Sequence, residues 1–413
     1  MKVCIFTETF HPVIGGGETQ ARLLAEGLTA RGHEVVVLTR RSDASLPRAE
    51  HLGAVTVHRI GPSGSGPSKK WGLVLTGLPA LLRLRRRYDL VFVSGFRLLG
   101  IPAVLAARLL GKRVVLKADS EGEMSGEYFA AGLARVGISV RSWPFRAFLS
   151  LRNALLSRAD AFVAITSSVA EELADARLDP AVTHRIPNAV DTHRFCPASP
   201  ERKRELRQRL GLPPAARVVA YTGRLVTYKG LPLLLGTWPR IVAAHPDALL
   251  LLVGTGGLDI HACEDELRTT VRAQGLERNV VFTGSVQNVH EHLQAADLFA
   301  FPTENDAFPS SIIEAMTTAL PVVTTPVGAI PDVVRDGENG LLVQPRDAAG
   351  LVSAIERLFA DPGLAARLGH NAWQTVQDHY SADRITQRYA DLFAQVLGPR
   401  PARVAADGSG QAT

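Results

Sequence analysis

Pro302-Thr303-Glu304-Asn305-Asp306-Ala307-Phe308-Pro309-Ser310-Ser311-Ile312-Ile313-Glu314-Ala315-Met316 decides the fold. The run from Asp297 to Phe301 before it reads as a buried strand. The polar loop that follows opens a helix. Pro309 suits the first helical position, because its fixed φ is helical and its missing N–H would be unpaired there in any case. The amides of Ser310, Ser311 and Ile312 then point out of the helix start, where the macrodipole favours an anion. Glu314 lies about one turn further in, among Ile312, Ile313, Ala315 and Met316. A carboxylate in such surroundings needs a partner or a ligand. Asp306 and Glu314 thus flank a set of backbone donors, an arrangement suited to vicinal hydroxyls and a phosphate. The plain alternative is a strand-loop-helix with one capping carboxylate and one satisfied core glutamate.

Working outward, the N-terminal half starts with strand Lys2 to Thr7, a loop carrying Gly15-Gly16-Gly17, a helix from Glu18 to Arg31 and a Val-rich strand from Glu34 to Thr39. Strand, glycine loop, helix and strand in that order predict a doubly wound parallel sheet. Glycines let backbone approach a ligand at a helix start, but their spacing is not the dinucleotide fingerprint. Further strands read Val55–Arg59, Leu90–Val93, Val114–Lys117, Ala161–Ile165 and Val182–Pro187. Proline-rich sequence with a basic helix follows to Pro214. A fresh strand, Val218–Thr222, then leads into Gly223-Arg224-Leu225-Val226-Thr227-Tyr228-Lys229-Gly230. Strands Leu249–Val253 and Val280–Thr283 run into Gly254-Thr255-Gly256-Gly257 and Gly284-Ser285-Val286.

The chain has 413 residues, 46% of them hydrophobic and 21% charged, which predicts two α/β domains with substantial cores. Its three cysteines lack metal-ligand spacing and suit a reducing cytoplasm. The N-terminus runs straight into a strand pattern, so no signal peptide is expected, and no run of 18 apolar residues spans a membrane. The net charge of +6 is partly local, at Lys69-Lys70, Arg83 to Arg87 and Arg202 to Arg209. No nucleic-acid module accompanies these charges. The stretch 71–87, apolar and then basic, is a candidate peripheral membrane contact at the inner face. Its alternative is an ordinary helix on the sheet with a solvated basic end. Gly61 to Lys70 reads as a mobile loop, and the tail 398–413 reads as disordered.

The central stretch resembles the retaining glycosyltransferases of family 4, which share the GT-B fold of two Rossmann-like domains facing across a cleft. That family carries an acidic residue, seven intervening residues and Glu-Ala-Met, with Phe-Gly or Phe-Pro between. Asp306, Phe308-Pro309 and Glu314 take those places, and Leu320 to Thr325, Gly328, Pro331, Asp336-Gly337 and Asn339-Gly340 follow in order. Pro187-Asn188-Ala189-Val190-Asp191 resembles the family's exit from the first domain. The resemblance implies an N-terminal acceptor-side domain over 1–195 and a nucleotide-sugar domain over 196–378. It also implies a helix over 379–397 that crosses back onto the first domain.

By the same resemblance, Arg224 and Lys229 clamp the donor diphosphate, where two cations stabilise a leaving group that gains negative charge. Gly16 and Gly17 line the cleft near the phosphates, and Gly254 and Val286 lie at the base and ribose end. Phe308, Pro309 and Ser310 border the donor, where the amides near them stabilise departing charge, while Glu314 holds the ribose diol and Asp306 the donor sugar. The implied reaction moves a glycosyl group from a nucleotide-diphosphate sugar to a hydroxyl of a sugar, glycolipid or natural product, in carbohydrate biosynthesis. A UDP-sugar is favoured as donor and GDP-mannose stands next. Retention is implied, and no cofactor or metal, since Asp-x-Asp is absent.

Two departures stand out. Where many members place a His after the strand ending at Lys117, this chain has Ala118-Asp119-Ser120-Glu121-Gly122-Glu123. Asp119 is the candidate to position or deprotonate the acceptor; the acidic loop would equally select a cationic acceptor such as an amino sugar, or be merely solvated. Asp at 306 is one methylene short of Glu, and Glu304 is a candidate substitute. A nucleotide-sugar epimerase or hydrolase on the same fold, and a non-catalytic nucleotide-sugar-binding protein, are the alternatives.

Overall fold

The computed structural model describes residues 1–13, 15–64, 67–130, 139–257 and 259–399. The tail from residue 400 therefore lies outside the described residues. The first sheet is built from β1 (Lys2–Thr7), β2 (Glu34–Arg40), β3 (Ala49–Leu52), β4 (Val55–Ile60), β5 (Leu90–Ser94), β6 (Arg113–Lys117), β7 (Ala161–Ala164) and β8 (Thr183–Arg185). Its order is β3-β4-β2-β1-β5-β6-β7-β8, parallel except for the short edge strand β3. Sequence reading missed β3, because Ala49–Leu52 has neither alternation nor an apolar run. The second sheet orders β11 (Val280–Gly284), β10 (Ala248–Val253), β9 (Arg217–Thr222), β12 (Leu298–Phe301), β13 (Val322–Thr324) and β14 (Leu341–Leu342), all parallel. Strands such as β10, buried at every residue, are continuously apolar because helices cover both faces.

In the first lobe, α2 (Pro67–Arg83), α3 (Phe96–Leu110) and α4 (Trp143–Leu156) cover one face of the sheet. The other face takes α1 (Gly16–Ala30) and the last helix, α13 (Ala382–Leu397), whose Tyr389 and Phe393 rings lie 5.2 and 5.5 Å from Phe92. The expected loop 61–70 is partly helical, since α2 begins at Pro67; residues 65 and 66 are outside the description. The second lobe adds α6 (Pro200–Arg209), α7 (Leu231–Ala244), α8 (Glu264–Ala273), α9 (Val289–Ala295), α10 (Ser310–Thr317), α11 (Ala348–Ala360) and α12 (Pro362–His379).

The chain passes between the lobes twice, and the two passages run side by side. Val190 donates its amide to Tyr380 O at 2.9 Å, and Ala382 returns a bond to Val190 O at 2.9 Å. Contacts also join the lobes elsewhere. Asp332 accepts from the amide (3.0 Å) and hydroxyl (2.8 Å) of Ser167, which opens α5 (Ser167–Asp175), and pairs with Arg185 at 2.9 Å. Phe308 packs against the cores of both lobes. Each parallel sheet reverses its winding once, between β1 and β5 and between β9 and β12. At such points the loops leaving the strands diverge and open a crevice for a ligand.

Candidate active site

The second crevice is formed by the loops after β9 and β12. Thr227 to Lys229 forms one 3-10 turn, and Gly230 turns the chain into α7 at φ +74°. Only glycine fits there, since a Cβ would strike the carbonyl oxygen of Pro302. That close approach seats Lys229 on the other loop. Its Nζ donates to Asn305 O at 3.0 Å and lies 3.0 Å from Asp306 Oδ2. Asp306 also accepts the Phe308 amide at 3.2 Å. Burial pushes the Asp306 carboxyl above its ordinary range, and Lys229 works against that shift.

Arg224 stands on the same loop and is largely exposed. It donates to the Tyr228 hydroxyl at 2.8 Å and pairs with Asp259. The Arg224 guanidinium and the Lys229 ammonium lie 6.0 and 5.4 Å from the centroid of the Tyr228 ring. Both cations thus flank one ring, and both charges act on Asp306. Gly254, at φ +136°, backs directly onto the carbonyl of Gly223, which fixes the spacing of the β9 and β10 loops.

The start of α10 differs from the sequence expectation. Pro309 is the N-cap residue (φ −82°, ψ 60°), and the helix begins at Ser310. The Ser310 amide is already used, donating to Phe308 O at 2.9 Å; among the described residues those of Ser311 and Ile312 have no acceptor. The loop ends in a tight turn at Phe308, so the helix starts one residue late. Glu314 keeps an open edge, and among the described residues its carboxylate has neither hydrogen bond nor ion pair. Burial pushes it to about 7, with the Arg194 charge opposing. Arg194 in turn bonds Gln287 O, beside Val286, and lies 3.3 Å from His290 Nδ1. Sequence reading missed Arg194, whose only signal was its place just after the Asn188-Ala189-Val190-Asp191 exit.

In the first lobe, Asp119 follows β6 and leans on the end of β5, the strand that borders that sheet's reversal. Its carboxylate accepts the Ser94 hydroxyl at 2.8 Å and pairs with Lys117, and its amide donates to Glu123 Oε1 at 2.9 Å. A Cβ on Gly17 would lie 3.9 Å from Asp119 Oδ2, whereas Gly16 faces open space. Asp119 and the start of α1 thus share one surface. Lys117 and Ser94 were not singled out from sequence; both are final residues of parallel strands, and that position was the available signal.

The acidic loop is solvated only in part, since Glu121 and Glu127 are exposed and Glu123 is not. Glu123 is buried, accepts the amides of Asp119 and Arg97 (3.2 Å), and is raised by burial against the Arg97 charge. Glu172 accepts the amides of Gly122, Met124 and Ser125 at 2.7 to 2.8 Å. Glu123 and, from α5, Glu172 hold the loop, while Glu121 and Glu127 stay exposed. Glu304 is no substitute for Asp306, since Arg346 binds its Oε2 at 2.9 and 2.6 Å. Among the described residues, no group of three His, Cys, Asp or Glu is placed to hold a metal ion.

Two parallel-sheet lobes, each with its crevice at the sheet reversal, define the GT-B class of glycosyltransferases. The model for "Glycosyltransferase Family 4" matches residues 14–194, and that for "Glycosyl transferases group 1" matches residues 216–361. The chain is 34% identical to the lipopolysaccharide core biosynthesis mannosyltransferase LpsB of Rhizobium meliloti, over 59% of this chain and 68% of that one. It is 28% identical to the D-inositol 3-phosphate glycosyltransferase of Actinosynnema mirum, over 92% of both. Anabaena HepE, solved with UDP and glucose, superposes with a TM-score of 0.72 at 21% identity, over 95% of this chain and 99% of that one. The chain belongs to the family 4 glycosyltransferases.

Proposed function

We propose that this glycosyltransferase moves a sugar from a nucleoside diphosphate to an acceptor hydroxyl with retained configuration and without a metal, a UDP-sugar being the first candidate donor and GDP-mannose the second. The observation that carries this reading is the Lys229–Asp306 pair at the second crevice, with Arg224 beside the same tyrosine ring and two unpaired amides opening α10. Cations and a helix start stabilise the charge that develops on a departing diphosphate. The departing phosphate takes the acceptor proton on the sugar's own face. Glu314 accepts from the ribose diol, and Asp306 orients the donor sugar. Asp119, anchored by Ser94 and Lys117, positions the acceptor, and closure of the lobes excludes water.

A thermal-shift panel of uridine, guanosine and adenosine diphosphate sugars tests the donor, because a bound ligand raises apparent stability. NMR of the product then reads the anomeric configuration, and activity that survives a chelator supports the metal-free route. Epimerised sugar as the main product without acceptor would end the transferase reading. Tight donor binding with no turnover would favour a sensor.

We place the protein in the cytoplasm, against an anionic inner membrane face. Supporting this, α2, α3 and α4 contain no Asp or Glu. Their outer surface exposes Leu75, Leu109, Trp143 and Leu151, each by more than two thirds. Arg108 and Arg146 lie on the same helices, and Arg85, Arg86 and Arg87 follow α2. Exposed apolar residues with cations on or next to the same helices suit an anionic bilayer. No helix among the described residues is long and apolar enough to cross a membrane. Sedimentation with phosphatidylglycerol vesicles, and not with neutral ones, is expected, and Trp143→Ser with Leu151→Ser should weaken it.

A further inference from the structure

Among the described residues four tyrosines are buried, and three of them spend their hydroxyls on backbone carbonyls. Tyr88 donates to Leu81 O at 3.0 Å, Tyr221 to Arg224 O at 2.8 Å and Tyr380 to Asp332 O at 3.0 Å. Tyr389, on α13, is the exception. It is 3% exposed, and its hydroxyl is sealed from solvent with no protein partner. Burial, and then the charge of Asp119, push the pKa of that hydroxyl up, so its proton stays on. A buried hydroxyl costs stability unless something bonds it.

A second group with donors to spare borders the same place. Lys117 is 3% exposed, and its ammonium carries three N–H donors. Among the described residues its one acceptor is Asp119. Lys117 and Ser94 are register partners at the ends of β6 and β5. Phe92 lies on the same face of β5 as Ser94, and its ring centroid is 5.2 Å from that of Tyr389, edge to face. Tyr389, Lys117, Ser94 and Gln20 thus line one cavity between the sheet, α1 and α13. Gln20 is already clamped through both ends of its amide to the Ala189 backbone, at 2.8 and 2.6 Å. The cavity leaves about 20 Å³ for a water-sized body, enough for one ordered water and too little for a sugar.

We propose that one buried water joins the Lys117 ammonium to the Tyr389 hydroxyl, and that Tyr389 is through it a positioning residue for Asp119. Lys117 donates forward to the Asp119 carboxylate and backward to the water. The water donates to the tyrosine oxygen and to the Ser94 oxygen, whose own proton goes to Asp119. With its ammonium held from both sides, Lys117 fixes the carboxylate in one orientation. The last helix thereby acts on the acceptor side without touching a substrate. This rests on the transferase reading, in which Asp119 positions the acceptor.

Tyr389→Phe keeps the ring against Phe92 and removes only the hydroxyl. Were that hydroxyl unbonded, the variant would melt higher than wild type; with the water in place it should melt about 2 °C lower. Glycosyl transfer should fall about tenfold relative to donor hydrolysis by water, with affinity for the UDP-sugar unchanged. In a Lys117→Met background the same substitution should cost nothing further, because the link is already cut. A crystal structure of the wild type at atomic resolution should show one peak within hydrogen-bond distance of both Lys117 Nζ and Tyr389 Oη. That observation decides the matter even if Lys117→Met fails to fold. Absence of the peak, a higher melting temperature or an unchanged transfer-to-hydrolysis ratio for Tyr389→Phe, or a full second loss in Lys117→Met overturns the proposal. A wild type that binds no nucleotide sugar would instead overturn the transferase reading and leave the peak in place.

Discussion

Donor affinity should follow the protonation of Glu314. The folded carboxyl lies at about 7 against an ordinary 4.5, because apolar helix surroundings desolvate it and the Arg194 charge only partly offsets this. In the free protein the sign follows directly. The folded state holds a proton that the unfolded state has lost, so the Glu314 contribution to stability falls as pH rises from about 4.5 to about 7 and is level above. A ribose diol donates hydrogen bonds and therefore needs the carboxylate. Below pH 7 the donor must displace a proton, at about 1.4 kcal/mol or tenfold in affinity per pH unit. Affinity at pH 6 should thus be about a tenth of that at pH 8. Calorimetric titration with an intact UDP-sugar reads this cleanly, whereas UDP carries a terminal phosphate that titrates in the same window. Glu314→Gln should flatten the profile and weaken binding at pH 8 by about tenfold. A wild-type affinity constant from pH 6 to 8, or a pH dependence surviving in Glu314→Gln, would refute the assignment.

Other consequences are as direct. Lys229→Ala should leave Asp306 buried and unpaired and cost about 2–4 kcal/mol in urea melts at neutral pH; adding Asp306→Asn should recover most of the stability and none of the transfer. Gly254→Ala must force a Cβ against the Gly223 carbonyl at φ +136°, so we expect a loss of more than about 2 kcal/mol by thermal melt. Asp332→Ala removes the bonds to Ser167 and Arg185 across the lobes. It should cost about 1 kcal/mol and widen the molecule in small-angle scattering.

Much of this was readable because parallel sheets advertise themselves. Strands such as Leu249–Val253 are apolar throughout, and their loops carry the punctuation that places Arg224, Lys229, Asp306 and Glu314. What sequence could not give was pairing. Nothing along the chain reveals that Lys229 meets Asp306, that Arg346 removes Glu304 from contention, or that Glu172 folds Gly122 to Ser125 around itself. These are contacts between segments distant in sequence. The N-cap position of Pro309 was lost for a local reason, the tight turn at Phe308.

The twin passages at Val190 and at Tyr380 to Ala382 act as a pair of knuckles on a single pin. One strap would let the halves swivel freely; two adjacent straps, bonded to each other, leave one arc of swing. Whatever opens this molecule must open it along that arc. Arg194, four residues past the first strap, would then report the swing to Glu314 through its charge.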